Sequence, residues 1–136
     1  MTKTYKPDLS PAEQDVLDHV TVRLIRPEER AAFDELLIKE HCLHNAELVG
    51  EQLRYVAEYA GQWRALLTWN AAAFNLRLRE TWIGWTPQQK KRRLTLVVNN
   101  SRFTILPQAR IPNLASRVMK GCLQRVSSDW LQTYGH

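Results

Sequence analysis

Acidic residues all but vanish from the second part of this 136-residue chain. Trp85 to His136 hold nine Lys and Arg and a single acid, Asp129, whereas Met1 to Gly84 hold ten Lys and Arg against thirteen Asp and Glu. The first stretch balances at −3 and the second at +8. So few carboxylates exclude a nuclease that would hold its metals in the basic part, because such ions need several carboxylate oxygens. Cysteine is scarce as well. Cys42 and Cys122 stand eighty positions apart, form no CxxC and sit among apolar neighbours, as buried free thiols do, so no disulfide is expected. No serine lies in a nucleophile elbow and His136 is terminal, which leaves a Ser-His-Asp hydrolase without support. Long apolar runs are missing too. None approaches the roughly 20 residues that cross a membrane, and the polar start Met1–Lys6 lacks the apolar stretch of a secretion signal. A cytoplasmic protein with no membrane partner is the expectation.

What is present is ordinary globular material. Hydrophobic residues make up 44% and charged residues 24%, enough apolar surface for a core and too little net charge per residue for disorder. Residues 1–9 are polar and contain Pro7, which reads as a flexible lead-in; residues 10–136 read as one domain. Ser10-Pro11-Ala12-Glu13 has the parts of a capping box and predicts a helix to about His19. Val20 to Ile25 is alternating and β-branched, hence a strand. Pro27-Glu28-Glu29 opens a second helix, with Phe33, Leu36 and Leu37 on its apolar face.

The middle of the chain predicts a hairpin. Leu53, Tyr55, Ala57 and Tyr59 share one strand face; Ala60-Gly61-Gln62 turns; and Trp63, Ala65, Leu67 and Trp69 line one face of the return. Ala71 to Phe74 reads either as more strand or as a helical turn. Thr86-Pro87-Gln88-Gln89 repeats the capping logic and opens a short basic helix. Leu94 to Leu106 reads as a β-prone run, with Asn99-Asn100-Ser101-Arg102 as a bulge or turn inside it. From Leu114 a long helix is predicted, with Leu114, Val118, Cys122, Val126 and Trp130 as an i, i+4 ladder.

Few side chains are candidates for chemistry. His41-Cys42-Leu43-His44 offers three metal-capable groups but no second cluster at ligand spacing, so no metal is expected. Lys90, Lys91, Arg92 and Arg93 read either as a solvated face or as a grip on phosphates, with Arg102 and Arg110 extending the same surface toward DNA or RNA. Trp63, Trp69 and Trp130 fall on apolar faces. Trp82 and Trp85 flank Gly84 beside the basic run, the one place where aromatic and basic residues interleave. No catalytic set stands out.

Two resemblances add to this reading. The succession of strand and helix at 20–35, hairpin at 53–69, strand at 94–106 and helix from Leu114 resembles the first four strands of the GNAT acyltransferases. In that family a Gln/Arg-x-x-Gly-x-Gly/Ala turn holds the cofactor pyrophosphate. Arg110-Ile111-Pro112-Asn113-Leu114-Ala115 fills that frame, with Asn113 in place of the first glycine. The likeness implies an α/β fold with a GNAT-like mixed open sheet. It also implies a site for acetyl-CoA or another acyl-CoA at Arg110, Asn113, Leu114, Ala115 and Ser116, and, were the protein an enzyme, N-acyl transfer.

The second likeness lies in Trp82-Ile83-Gly84-Trp85, Asn99-Asn100-Ser101-Arg102-Phe103, Asn113-Leu114-Ala115-Ser116, Asp129-Trp130 and Tyr134-Gly135-His136. These stretches, over roughly residues 41–136, resemble the DruA-type family of Druantia anti-phage defence islands, also found among proteins described as transposases. Members of that family continue past Tyr-Gly-His into a further strand. The resemblance therefore implies a GNAT-like sheet cut off after its fourth strand and the following long helix. It also implies that a second chain, either another protein or a second copy, completes the sheet. The leading expectation is a non-catalytic or degenerate DruA-like protein that binds nucleic acid or a protein partner. The runner-up is an acyl-CoA-dependent N-acyltransferase or acyl-CoA binder, and the third is a self-associating structural fragment.

Overall fold

The computed structural model describes residues 9–41, 43–72 and 77–136. Four strands form one open antiparallel sheet in the order β1-β2-β3-β4: β1 is Thr21–Leu24, β2 Gln52–Tyr59, β3 Gln62–Ala71 and β4 Val98–Ile105. The described helices are α1 (Pro11–His19), α2 (Arg30–Glu40), α3 (Arg77–Ile83), α4 (Pro87–Arg93), α5 (Leu114–Leu123) and α6 (Val126–Tyr134). Cys42 and the question of strand or helix at Ala73–Phe74 fall outside the described residues, as does nearly all of the 1–9 lead-in.

Both predicted capping boxes form. Glu13 N donates to Ser10 Oγ at 3.1 Å while Ser10 N donates to Glu13 Oε1 at 3.0 Å. Gln89 N donates to Thr86 Oγ1 at 3.2 Å and Thr86 N to Gln89 Oε1 at 3.0 Å. Each box satisfies two amides that the first turn of a helix leaves without partners.

The sheet is covered on both faces. Leu53, Tyr55, Ala57, Ala65, Leu67 and Trp69 point to one side, where α1, α5 and α6 pack. Val56 and Leu66 point to the other and meet Phe33 and Leu37 of α2. The hairpin turns on two residues, Ala60 and Gly61, both left-handed (φ 52° and 75°), and Tyr59 pairs with Gln62. Such a turn matches the strand twist. One face assignment changes. Ala57 pairs with Ala65 but Glu58 with Trp63, so Arg64 is an extra residue in β3. The bulge reverses the alternation, and Trp63 lies on the α2 side, its ring edge-on to Phe33 with centroids 6.4 Å apart, away from Ala65, Leu67 and Trp69.

The β-prone run is shorter than the sequence suggests. Leu94–Leu96 continues α4 as a 3-10 turn, closed by Val97 N donating to Leu94 O at 3.0 Å, and the strand begins at Val98. Nothing at the end of α4 stops it: Leu94 keeps helical angles (φ −58°, ψ −33°), and the tighter i→i+3 bonds use up its last carbonyls. Inside β4, Thr68 pairs with Arg102 and Trp69 with Asn100, which makes Ser101 a bulge. Ser101 and Thr68 hydroxyls lie 2.8 Å apart and Asn100 Nδ2 donates to Thr68 O at 3.1 Å, so the polar stretch pins β4 to β3.

The predicted single long helix is two. All five ladder residues from Leu114 to Trp130 are buried, yet the helix breaks at Gln124–Arg125. Arg125 N bonds Cys122 O at 3.1 Å, an i→i−3 closure that ends the α pattern. The freed Arg125 side chain donates through Nη1 to Val22 O at 2.6 Å and through Nε to Asp129 Oδ2 at 2.9 Å. One turn earlier Gly121 lets α5 lie on β1, because a Cβ there would come within 3.0 Å of Val22 Cγ2. Tyr134 closes the fold: its hydroxyl accepts from Gln52 N at 2.8 Å and donates to Gln52 O at 2.7 Å.

Candidate functional site

The basic run lies on α4, whose N-terminus Thr86 caps and whose last turn is entirely cationic. Cations at that end meet the negative pole of the helix dipole. Lys91, Arg92 and Arg93 are exposed and Lys90 is half-buried. At 3.6 residues per turn, four consecutive cations spread over about 300° of the helix. They surround α4 and do not form one stripe.

Beside them stands an aromatic side chain. Trp82, in the last turn of α3, is 88% exposed, the most exposed large hydrophobic among the described residues. Gly84 follows it in the left-handed region (φ 76°) and turns the chain toward the Thr86 cap, with Trp85 half-buried between them. The short helices α3 and α4 thus carry an open indole and a ring of cations within a dozen residues.

Arg102 and Arg110 lie elsewhere. Arg102 sits on β4 and is half-buried, donating through Nε to Asn45 O at 3.1 Å and through Nη1 to Ser101 O at 2.8 Å. Arg110 is exposed after the 3-10 turn Pro107–Ala109. The basic helix leads into one end of β4 and Arg110 follows the other. Those ends are about 23 Å apart at the usual rise per residue.

At the start of α5, Asn113 adopts the left-handed conformation (φ 67°, ψ 0°) that the glycine of the resembled turn would favour. Leu114 is buried in the core and its amide donates to Ile111 O at 3.4 Å. Ala115 and Ser116 are exposed and border an open groove of about 760 Å³ shared with Phe103, Met119, Lys120 and Leu123.

The densest polar arrangement described is buried, and sequence reasoning missed it. Tyr55, fully buried on β2, donates to Asp129 Oδ2 at 2.8 Å, and Arg125 shares that oxygen. Burial and the Asp129 hydrogen bond push the Tyr55 phenol well above its ordinary range. Next to it Trp69 Nε1 donates to Cys122 Sγ at 3.1 Å, and burial pushes the thiol up to about 11. A thiol so placed is inert toward electrophiles, and the group as a whole joins α6 to β1 and β2. The signal available was Asp129 as the lone acid of a basic stretch, four residues after Arg125. On the other face, buried Arg54 donates to Asp34 Oδ1 at 2.8 Å and to Ala46 O at 3.2 Å, holding the 43–50 loop. The predicted metal-capable cluster is partly described: His41 Nδ1 accepts from Leu43 N at 3.1 Å and His44 Nδ1 donates to Ile38 O at 2.8 Å.

No helix among the described residues is long and apolar enough to cross a membrane. A family model described as Druantia protein DruA matches residues 3–136, nearly the whole chain. No curated protein and no solved structure matches it.

Proposed function

The chain belongs to the Druantia protein DruA family, and from that premise we propose that it serves phage defence by binding nucleic acid at α3 and α4. What supports the reading is Trp82, 88% exposed and four positions ahead of the cap of a helix bearing Lys90, Lys91, Arg92 and Arg93. An exposed indole offers a stacking face to an unpaired base, and cations around one short helix displace counterions from the backbone. Arg110 and Arg102 extend the surface only for a strand that follows the length of β4. The test is fluorescence anisotropy of a labelled single-stranded oligonucleotide over a range of salt. Changing all four basic residues to alanine lowers affinity and flattens the salt slope by up to about 3, the value for four lost phosphate contacts on a single strand. Trp82→Ala weakens binding by about tenfold at every salt and leaves the slope alone. Unchanged binding in both variants removes the proposal.

A second reading is favoured by one observation. Ala115 and Ser116 border a groove of about 760 Å³, a volume that suits a small-molecule ligand. Acetyl-CoA or another acyl-CoA would lie there with its phosphates near Arg110 and the Asn113 turn, completed by a partner chain. Calorimetric titration with acetyl-CoA decides it: saturable heat lost in Arg110→Ala supports this reading, and absence of heat removes it.

A further inference from the structure

β4 is an edge. Among the described residues it pairs only with β3, so one row of its backbone N–H and C=O groups meets no strand. Beside that edge, on the α5 and α6 side, run two adjoining hollows of about 760 and 580 Å³ that share Gln124. Their walls are apolar. Three of the most exposed aliphatic side chains, Leu96 (72%), Leu123 (56%) and Leu131 (59%), line them, together with Val98 and Phe103 of β4. Monomeric proteins seldom leave such side chains grouped along one groove.

The groove also has a polar group without a partner. Trp130, 5% exposed, borders the second hollow, and its indole Nε1 finds no acceptor among the described residues. A buried donor left unbonded costs on the order of 1–3 kcal/mol, so an occupant that brings an acceptor is favoured. The charge is one-sided: Lys120 borders the first hollow, and the only acid from Trp85 onward, Asp129, is already bonded to Arg125 and Tyr55.

The occupant must therefore bring backbone donors and acceptors in a row, apolar side chains at every second position, a carbonyl for Trp130 and negative charge. We propose that the free edge of β4 takes an extended, acidic polypeptide strand from another protein, its apolar side chains laid against α5 and α6. This is strand addition, in which main-chain hydrogen bonds give affinity and alternate side chains give selectivity. A second copy of this chain fits less well, because it brings a net charge of +5 and its own Lys120 to the same edge. The inference rests on neither Trp82 nor the basic run.

The probe is a nine-residue synthetic peptide alternating valine and glutamate, with a block peptide of the same composition as control. Calorimetry and hydrogen exchange read the result. The alternating peptide binds one to one and protects the amides of β4, and the block peptide binds at least tenfold more weakly. Trp130→Phe, which removes only the indole N–H, weakens binding about fivefold, and Leu123→Glu weakens it more than tenfold. Changing Lys90 to Arg93 to alanine leaves it intact. Circular dichroism confirms that each variant folds. Absence of binding by the alternating peptide, equal binding of the two peptides, or binding without protection of β4 overturns the proposal. Concentration-dependent dimerisation that Leu123→Glu abolishes names a second copy instead and also overturns it. So does displacement of the peptide by acetyl-CoA, which assigns the groove to a cofactor.

Discussion

Tyr55 and Asp129, 74 positions apart in sequence, meet in the core, where the phenol donates to the carboxylate at 2.8 Å. Arg125 donates to the same oxygen and holds Val22 O with its other arm. Central strand, edge strand and last helix are tied by one buried carboxylate. Tyr55→Phe removes a hydrogen bond to a charged group and keeps the ring, so the expected loss is about 2 kcal/mol of folding stability. Urea denaturation measures it. A loss below about 0.5 kcal/mol, the level of surface changes, would mean that Arg125 alone satisfies Asp129.

The same core shields Cys122. Burial raises its thiol to about 11, so the reactive thiolate is scarce near neutral pH. With Ellman's reagent at about pH 8, Cys122 reacts only on unfolding, and Tyr55→Phe accelerates the reaction by loosening the lid over it. Rapid labelling of Cys122 in the native protein would contradict the packing described.

These relationships show what a sequence can and cannot disclose. The ladder from Leu114 to Trp130 is legible because its 3.6-residue period requires one buried face. The break at Arg125 is not, because the carbonyl that draws Arg125 out belongs to Val22, 103 positions earlier. Both capping boxes are legible since each is complete within four residues. The face of Trp63 is not, since the bulge at Arg64 arises from how β3 registers against β2. The candidate surface divides in the same way. The basic run and its neighbouring tryptophan can be read in order along the chain. The groove beside β4 exists only once α5 and α6 dock, and no local pattern announces it.

A surface network controls behaviour in acid. Arg23 donates through Nη1 and Nη2 to Glu29 at 2.8 and 2.9 Å and through Nε to Glu58 at 2.8 Å. The Arg23 hydrogen bonds, with help from Arg26 N–H, lower the Glu29 carboxyl from 4.5 to about 2. Folding therefore favours the ionised form. The stability it lends is whole above 4.5 and drains as pH falls toward 2. Glu29→Gln should flatten the fall of the urea midpoint between about pH 5 and about pH 2.5. An equally steep fall in the variant would place the acid sensitivity elsewhere.

The hairpin turn offers a change in the opposite direction. Ala60 is held at φ 52°, a conformation in which its Cβ crowds the backbone, and Gly61 follows at 75°. An L residue other than Gly, Asn or Asp pays roughly 1–2 kcal/mol there. Ala60→Asn creates Asn-Gly, the pair that two-residue turns of this hand prefer. The side chain at this position is exposed, so no packing is lost. The variant should gain about 0.5–1 kcal/mol, read as a higher urea midpoint with an unchanged slope. An unchanged midpoint would mean that the β2–β3 pairing, which buries Tyr55 and Leu67 on one face and Val56 and Leu66 on the other, forms equally well whatever the turn prefers.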